Sequence, residues 1–294
     1  MVALIRARLP ELALLCVVLV WASTFVLTKQ AFQEISPLAF AFARFAGITA
    51  LAFFVLGWSV GVGRASWTIW RGDLVRFGVV GVCGYTLYQL GFVLGLDRTS
   101  PFSSSLLIST VPLVTIVGLT LLGERSPLRA WLGVAVALAG TLVFVIDKLG
   151  TPGSLQGDLL SLGSAVSFAT YGILNRPLVR RYATATYTAY TVLAGAVPLL
   201  IISLPAALAQ DWRGVSAGSW VVVVYMIVLP VYVAYMVWNW AIAHRGAAVA
   251  SSFTLLTPLV SGVLSALTFG EAFEAPKLVG AGLVLLGLLL LQRL

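Results

Sequence analysis

Residues 112–140 read PLVTIVGLTLLGERSPLRAWLGVAVALAG, and residues 258–287 read PLVSGVLSALTFGEAFEAPKLVGAGLVLLG. Each stretch opens on a proline, runs through apolar residues to a Gly-Glu pair (Gly123-Glu124, Gly270-Glu271), and resumes with a second apolar run. That second run carries Gly133 and Gly140 in one copy and Gly280 and Gly287 in the other. A shift of 147 residues, half of the 294, brings the Gly-Glu pairs and these glycines into register. Working outward, the same shift lays Tyr85 and Tyr88 on Tyr232 and Tyr235, Arg98 on Arg245, and Ser104-Ser105 on Ser251-Ser252. Pro112 meets Pro258 after a one-residue slip that is later recovered. Two apolar sequences share many chance identities, but one offset kept across three segments indicates duplication. The repeats are expected to divide the chain at 1–147 and 148–294.

The solvent of this chain is a membrane. Apolar residues make up 60% of it and charged residues 10%, with a mean hydropathy of +1.04. About 20 apolar residues in a helix cross a hydrocarbon core. Such stretches fall at 11–30, 36–57, 73–96, 101–122, 128–146, 157–180, 185–205, 218–241, 247–269 and 275–292. Lipid offers nothing to free backbone groups, and the runs are too long for barrel strands, so they read as helices. The fold class is an all-α polytopic membrane protein with ten transmembrane helices, five to a repeat. Five is odd, so the second copy starts on the opposite side and the repeats are inverted. The first span follows Arg6 and Arg8 in the manner of a leader, but it is long for one and closes on Lys29, so it is expected to be retained.

Twelve basic residues fall on one side of this arrangement: Arg6, Arg8, Arg64, Arg71, Arg76, Arg125, Arg129, Arg176, Arg180, Arg181, Arg245 and Arg293. Five fall on the other, Lys29, Arg98, Lys148, Arg213 and Lys277, and Arg44 lies within a span. The excess places both termini in the cytoplasm. The net charge of +8 is therefore a topology signal, and without a basic stripe on a soluble face it does not point to nucleic acid. Cys16 and Cys83 lack CxxC spacing and read as buried packing residues; no metal or other cofactor is expected.

The two proline to Gly-Glu to glycine segments resemble the EamA repeat of the drug/metabolite transporter superfamily. The run Trp21-Ala22-Ser23-Thr24-Phe25 with Lys29, then Pro37 and Arg44, is similar to that family's first two helices. The second copy departs from the pattern, with Phe168 in place of the tryptophan and Arg176 in place of the lysine. The resemblance covers essentially the whole chain. It implies a 5+5 helix arrangement and movement of small metabolites, commonly export, with amino-acid exporters of the YddG kind as relatives. The expected location is a bacterial inner (cytoplasmic) membrane.

The residues that count for function are polar or aromatic and sit well inside spans. Trp21, Ser23 and Thr24 lie in the first, Tyr85, Tyr88 and Gln89 in the third, Tyr171 and Asn175 in the sixth, and Tyr232, Tyr235 and Asn239 in the eighth. Interface tyrosines belong at span ends, and these do not. A phenol or carboxamide at such depth needs a neighbouring helix or a wet cavity. Both remain open, and Trp21, Thr24, Arg44, Tyr85, Tyr88, Gln89, Tyr171, Tyr232, Tyr235 and Asn239 are the candidate substrate-binding set. Arg44 is the one strong charge well inside a span, about 10 Å beyond Pro37. Substrate-carboxylate binding and structural bracing are both open for it. Pro112 and Pro258 each delete a helix hydrogen bond and are candidate hinges.

A secondary transporter working by alternating access fits best, its cavity walled by the first, third, sixth and eighth helices. Its partners are a small-molecule substrate and the lipid bilayer. Aromatics with one arginine suit neutral or aromatic amino acids or amphiphilic compounds better than phosphorylated sugars. No carboxylate lies mid-span to serve a proton or sodium ion, which favours downhill or exchange transport. His244, the sole histidine, reads as solvated, and Glu124 and Glu271 as helix-end anchors. No nucleophile has a base at its depth, so no catalytic residue is assigned and an enzyme is not expected. A passive channel and a lipid-flipping protein are the alternatives.

Overall fold

The computed structural model describes residues 2–146, 152–245 and 253–292. Among the described residues all regular structure is helical. In chain order, α1 is Val2–Ala31, α2 is Pro37–Gly61, α3 is Arg71–Arg98, α4 is Pro101–Leu121 and α5 is Leu128–Ile146. α6 is Pro152–Leu174, with a short helix Arg176–Arg181 after it, and α7 is Thr184–Ala209. α8 joins Ala217–Val228, Leu229–Val233 and Ala234–Arg245, α9 is Leu256–Phe269 and α10 is Ala275–Gln292.

Seven of these, α1 to α5, α7 and α8, are long and apolar enough to cross a membrane. α9 and α10 are apolar but shorter. α6 has the length, at 23 residues, but carries Asp158, Ser161, Ser164, Ser167 and Thr170. Several of these engage neighbouring helices: Ser161 Oγ donates to Ser104 Oγ (3.0 Å), Ser164 Oγ to Tyr88 O (2.9 Å), and Asp158 accepts from Thr99 (2.6 Å). The sixth span expected at 157–180 also breaks earlier, at Asn175, because Pro177 lacks an N–H and its ring displaces the preceding turn. In the span expected at 247–269, residues 247–252 lie outside the described residues.

Lipid-facing chemistry is plain on the surface. Phe54, Leu121, Leu208 and Leu267 are 71%, 83%, 77% and 80% exposed, far beyond what a water-facing surface tolerates in such number. Cys16 belongs to this exposed set, against the expectation of a buried thiol, whereas Cys83 is half-buried.

Between lipid-embedded helices the driving force is close packing rather than removal from water. The tightest seam joins α5 and α10, where four glycines let the backbones touch. Gly133 faces Gly287, and Gly140 faces Gly280. Position rises along one helix as it falls along the other, so the pair is antiparallel. Adding 147 to Gly133 and subtracting it from Gly287 turns the first contact into the second. Other extensive contacts obey the same exchange: α1 packs on α8 as α6 packs on α3, and α1 packs on α9 as α6 packs on α4. α2 packs antiparallel on α7, Phe45 and Ile48 meeting Val192 and Ala196 while Ala52 and Leu56 meet Ala189.

The Gly-Glu pairs end helices. Gly123 (φ +89°) and Gly270 (φ +67°) are left-handed at the ends of α4 and α9, a conformation that side chains disfavour. Each following glutamate ties its helix end to another element. Glu124 pairs with Arg176 at 2.8 Å. Glu271 is nearly buried and accepts from Lys277, Ser100 and Ser265. The bundle thus has two ends. Lys29, Asp97, Asp158 and Glu271 mark one, where Lys29 Nζ donates to the terminal carbonyls of α3, Leu96 O (2.8 Å) and Asp97 O (2.6 Å). Asp73, Glu124 and Arg176 mark the other, where buried Asp73 accepts from Arg181 (3.0 Å) and Tyr182 (2.7 Å).

Candidate functional site

α3 and α8 both depart from α geometry. α3 widens into a π turn at Val82–Leu87, and α8 does so at Leu229–Val233. These segments begin 147 residues apart and hold Tyr85 and Tyr232. A π turn inserts a residue into the helical ladder, re-aims side chains, and is found mostly where function requires it. In α8, Trp21 Nε1 donates to Pro230 O at 3.3 Å, tying α1 to this widened turn. The Trp21 ring also packs on Trp238 at 5.1 Å.

The π turn of α3 places its tyrosines in a run of rings. Gly84 leaves room for Tyr171, since a Cβ there would lie 2.2 Å from that ring. Tyr171 then packs on Tyr85 (5.7 Å) and Phe168 (5.4 Å), Phe168 on Tyr88 (5.0 Å), and Tyr88 on Phe92 (6.3 Å, near-parallel). Tyr85 reaches Phe45 of α2 at 6.3 Å, and Phe92 reaches Phe25 of α1 at 5.5 Å. Edge-to-face and offset arrangements of this kind stabilise by roughly 0.5–1.5 kcal/mol each beyond their burial. Tyr171 also accepts from Tyr187 Oη of α7 at 2.8 Å.

Arg44 lies against this aromatic run. Its guanidinium sits 5.9 Å from the Phe45 ring, and Nη1 donates to Gln89 Oε1 at a long 3.4 Å. Among the described residues no carboxylate pairs with it. Arg44 Nε and Gln89 Nε2 are sealed from solvent without hydrogen-bond partners, and Tyr232 Oη is likewise orphaned. Arg44, Tyr85, Tyr88, Tyr171 and Trp21 are nonetheless half-buried rather than wholly enclosed.

The structure therefore gathers Arg44, Tyr85, Tyr88, Gln89 and Tyr171 into one neighbourhood of α2, α3 and α6. Trp21 stands on the α1–α8 side. The Thr24 hydroxyl returns to its own helix, donating to Trp21 O at 2.6 Å. The side chains of Tyr235 and Asn239 lie outside the described residues. Pro112 is the second residue of Val111–Leu121, just past a turn at Ser109-Thr110 that divides α4. Pro258 stands third in α9, past a turn at Leu255. Sequence reasoning missed Phe45, Phe92 and Trp238, which carry no repeat signal to mark them; the two phenylalanines also lack a polar atom. Phe168 had a signal: it stands where the 147-residue shift places the partner of Trp21. Two surface crevices, about 500 Å³ beside Trp70 and Arg181 and about 670 Å³ between α3 and α6, are separate from the Arg44 group.

Comparison with known sequences follows the same two halves. The profile of the EamA-like transporter family matches residues 8–146 and again residues 155–293. The chain belongs to the EamA-like transporter family. It is an integral membrane transporter of small molecules, within the drug/metabolite transporter superfamily. An uncharacterized transporter of Bacillus subtilis, YyaM, is 29% identical over 91% of this chain and 88% of its own length. A probable terminal-alkyne amino-acid exporter of Streptantibioticus cattleyicolor is 26% identical over 96% of this chain and 92% of its own. A solved crystal structure aligns over 96% of both chains with a TM-score of 0.63 at 21% identity, a likeness of fold. Relatives named as transporters point away from an enzyme.

Proposed function

We propose that this EamA-family member is a secondary transporter that exports amino acids, aromatic or neutral, or amphiphilic compounds by alternating access. Its two repeats, 1–147 and 148–294, are inverted, with both termini in the cytoplasm of a bacterial inner membrane. Substrate occupies a cavity walled by α1, α3, α6 and α8 and is met by Trp21, Thr24, Arg44, Tyr85, Tyr88, Gln89, Tyr171, Tyr232, Tyr235 and Asn239. Pro112 and Pro258 are the hinges. The observation that carries the reading is the aromatic run beside an acid-free guanidinium, joined to paired π turns at equivalent places in the repeats. Transporters with repeats about an in-plane axis place their sites in irregular helices at the repeat interface. The antiparallel packing of α5 on α10 and of α2 on α7 supports inversion. The amino-acid exporter among the relatives supports the substrate class.

Reconstitution in proteoliposomes tests it. Labelled L-phenylalanine or L-leucine should enter saturably and faster when the lumen holds the unlabelled compound. Flux linear in concentration, without stimulation from the far side, would show a channel instead. Cysteines at 85 and 232 should react with water-soluble maleimide; labelling only by lipid-phase reagents would refute the cavity.

A further inference from the structure

We propose that Arg44 and Gln89 form a seat for a single carboxylate, and that ligands are recognised by that carboxylate and an aromatic or apolar body, with no part played by an ammonium group. The inference rests on the transporter reading above and names the ligand class for its cavity.

The argument is one of donors and acceptors. A guanidinium offers five N–H donors and no acceptor. Arg44 makes a single hydrogen bond, the 3.4 Å contact from Nη1 to Gln89 Oε1. Because that contact takes the Gln89 oxygen, the group left to the cavity is the Nε2 amide, again a donor. Arg44 Nε and Gln89 Nε2 are both sealed and unpaired, and Gln89 is 1% exposed. Buried donors without partners are rare in native proteins, and their partner commonly arrives from outside the chain. An arginine that merely braced helices would be bonded to backbone carbonyls; Arg44 is bonded to none. What satisfies a donor-only group carrying one positive charge is a planar anion with two acceptor oxygens, which a guanidinium grips in fork geometry.

The charge balance narrows the class further. Among the described residues Arg44 is the one cation set deep in a span away from its ends, and Lys29 is already occupied by the carbonyls of α3. One positive charge suits a monoanion and leaves a phosphate dianion half-compensated. For an ammonium group the described site holds no acid: Asp73, Asp97, Glu124, Asp158 and Glu271 all stand at the ends of the bundle. An ammonium beside the unpaired guanidinium would instead meet a like charge. The body of the ligand then meets aromatic rings: Phe45 beside Arg44, and Tyr88 next to Gln89 in sequence with Phe168 and Phe92 packed on it. Rings offer face and edge contacts to an aromatic ligand and plain apolar surface to an aliphatic one.

Four probes that share one ring and differ in their polar ends decide the matter: 3-phenylpropionate, L-phenylalanine, L-phenylalaninamide and 2-phenylethylamine. Binding to purified protein is read by calorimetry, and exchange by counterflow in proteoliposomes. The expected result is that 3-phenylpropionate binds at least as well as phenylalanine, while the amide and the amine bind at least about tenfold more weakly, the scale of losing a charge-assisted pair. R44Q should weaken both acids by about tenfold or more, R44K less because it keeps the charge, and Q89L by a few-fold. Using R44K and Q89L alongside R44Q keeps the test valid should one variant fail to fold. Equal binding of the amide or amine, acid binding undiminished in R44Q, or no binding of any probe overturns the carboxylate seat. Acid binding that depends on Arg44 with no counterflow of any probe instead overturns the transporter reading and leaves the seat standing.

Discussion

Replacing Gly287 with alanine should pry α10 from α5. A Cβ at that position would lie 2.4 Å from Ala137 N and 2.6 Å from both Ala137 Cβ and Gly133 O. Ordinary carbon contacts are about 3.5–4.0 Å, so the helices must separate locally by about 1 Å. Two of the three clashing atoms belong to backbone, which has no rotamer to escape into. Overpacking of this kind costs about 1–3 kcal/mol. For a chain of 294 residues, that is a fall in melting temperature of roughly 2–5 °C. The same helix supplies a control, because a Cβ at Gly282 meets nothing within 4 Å and the residue is exposed. Thermal denaturation of detergent-solubilised protein, followed by size-exclusion chromatography, should therefore separate Gly287→Ala from Gly282→Ala. Equal melting temperatures for the two would show that the glycine seam does not hold the helices together.

Tyr232→Phe removes a buried hydroxyl that has no partner, so stability should hold or rise by up to about 1 kcal/mol while phenylalanine counterflow slows. A clear loss of stability would show the hydroxyl to be structural. Pro112→Ala and Pro258→Ala should change the rate of counterflow more than the substrate concentration at half-saturation; unchanged turnover removes the hinge role. Asp73→Ala takes a buried acceptor from Arg181 and Tyr182 and should cost about 1–3 kcal/mol in detergent unfolding. Glu34 sits in the loop after α1, where the Ser216 N–H and then the Ser216 and Ser219 hydroxyls hold its pKa below the usual 4.5. A lowered carboxylate pKa gives stability that is present above 4.5 and lost as pH falls through the lowered value. Tryptophan emission from the neighbouring Trp212 and Trp220 should therefore change on acidification in the native protein and stay flat in Glu34→Gln.

The duplication was legible because helix-ending glycines and interface glycines leave fixed marks: at positive φ, Gly123 and Gly270 hold a backbone that other side chains strain, and Gly133, Gly140, Gly280 and Gly287 sit at backbone contact where a Cβ would clash. The π turns left no mark, since they are the backbone's response to packing and Val82–Leu87 has no composition that demands one. Arg44 could be singled out from its depth, but its pairing with Gln89, 45 residues away, required the fold. α6 was legible as the apolar run 157–180, but its packing was not: its serines face other helices, and a count of polar residues does not know which way they point. The break in α4 at Ser109-Thr110 precedes Pro112, as expected when a proline frees a carbonyl one turn upstream.

The α5–α10 seam is reciprocal: each helix offers its counterpart the surface that it receives. A half-chain bearing such a surface can recognise a copy of itself lying in the opposite orientation. Two genes or two insertion events would have to balance those copies by number and by direction. Joining them in one polypeptide sets the ratio at one to one, and the odd count of segments expected in each half would make the reversal automatic.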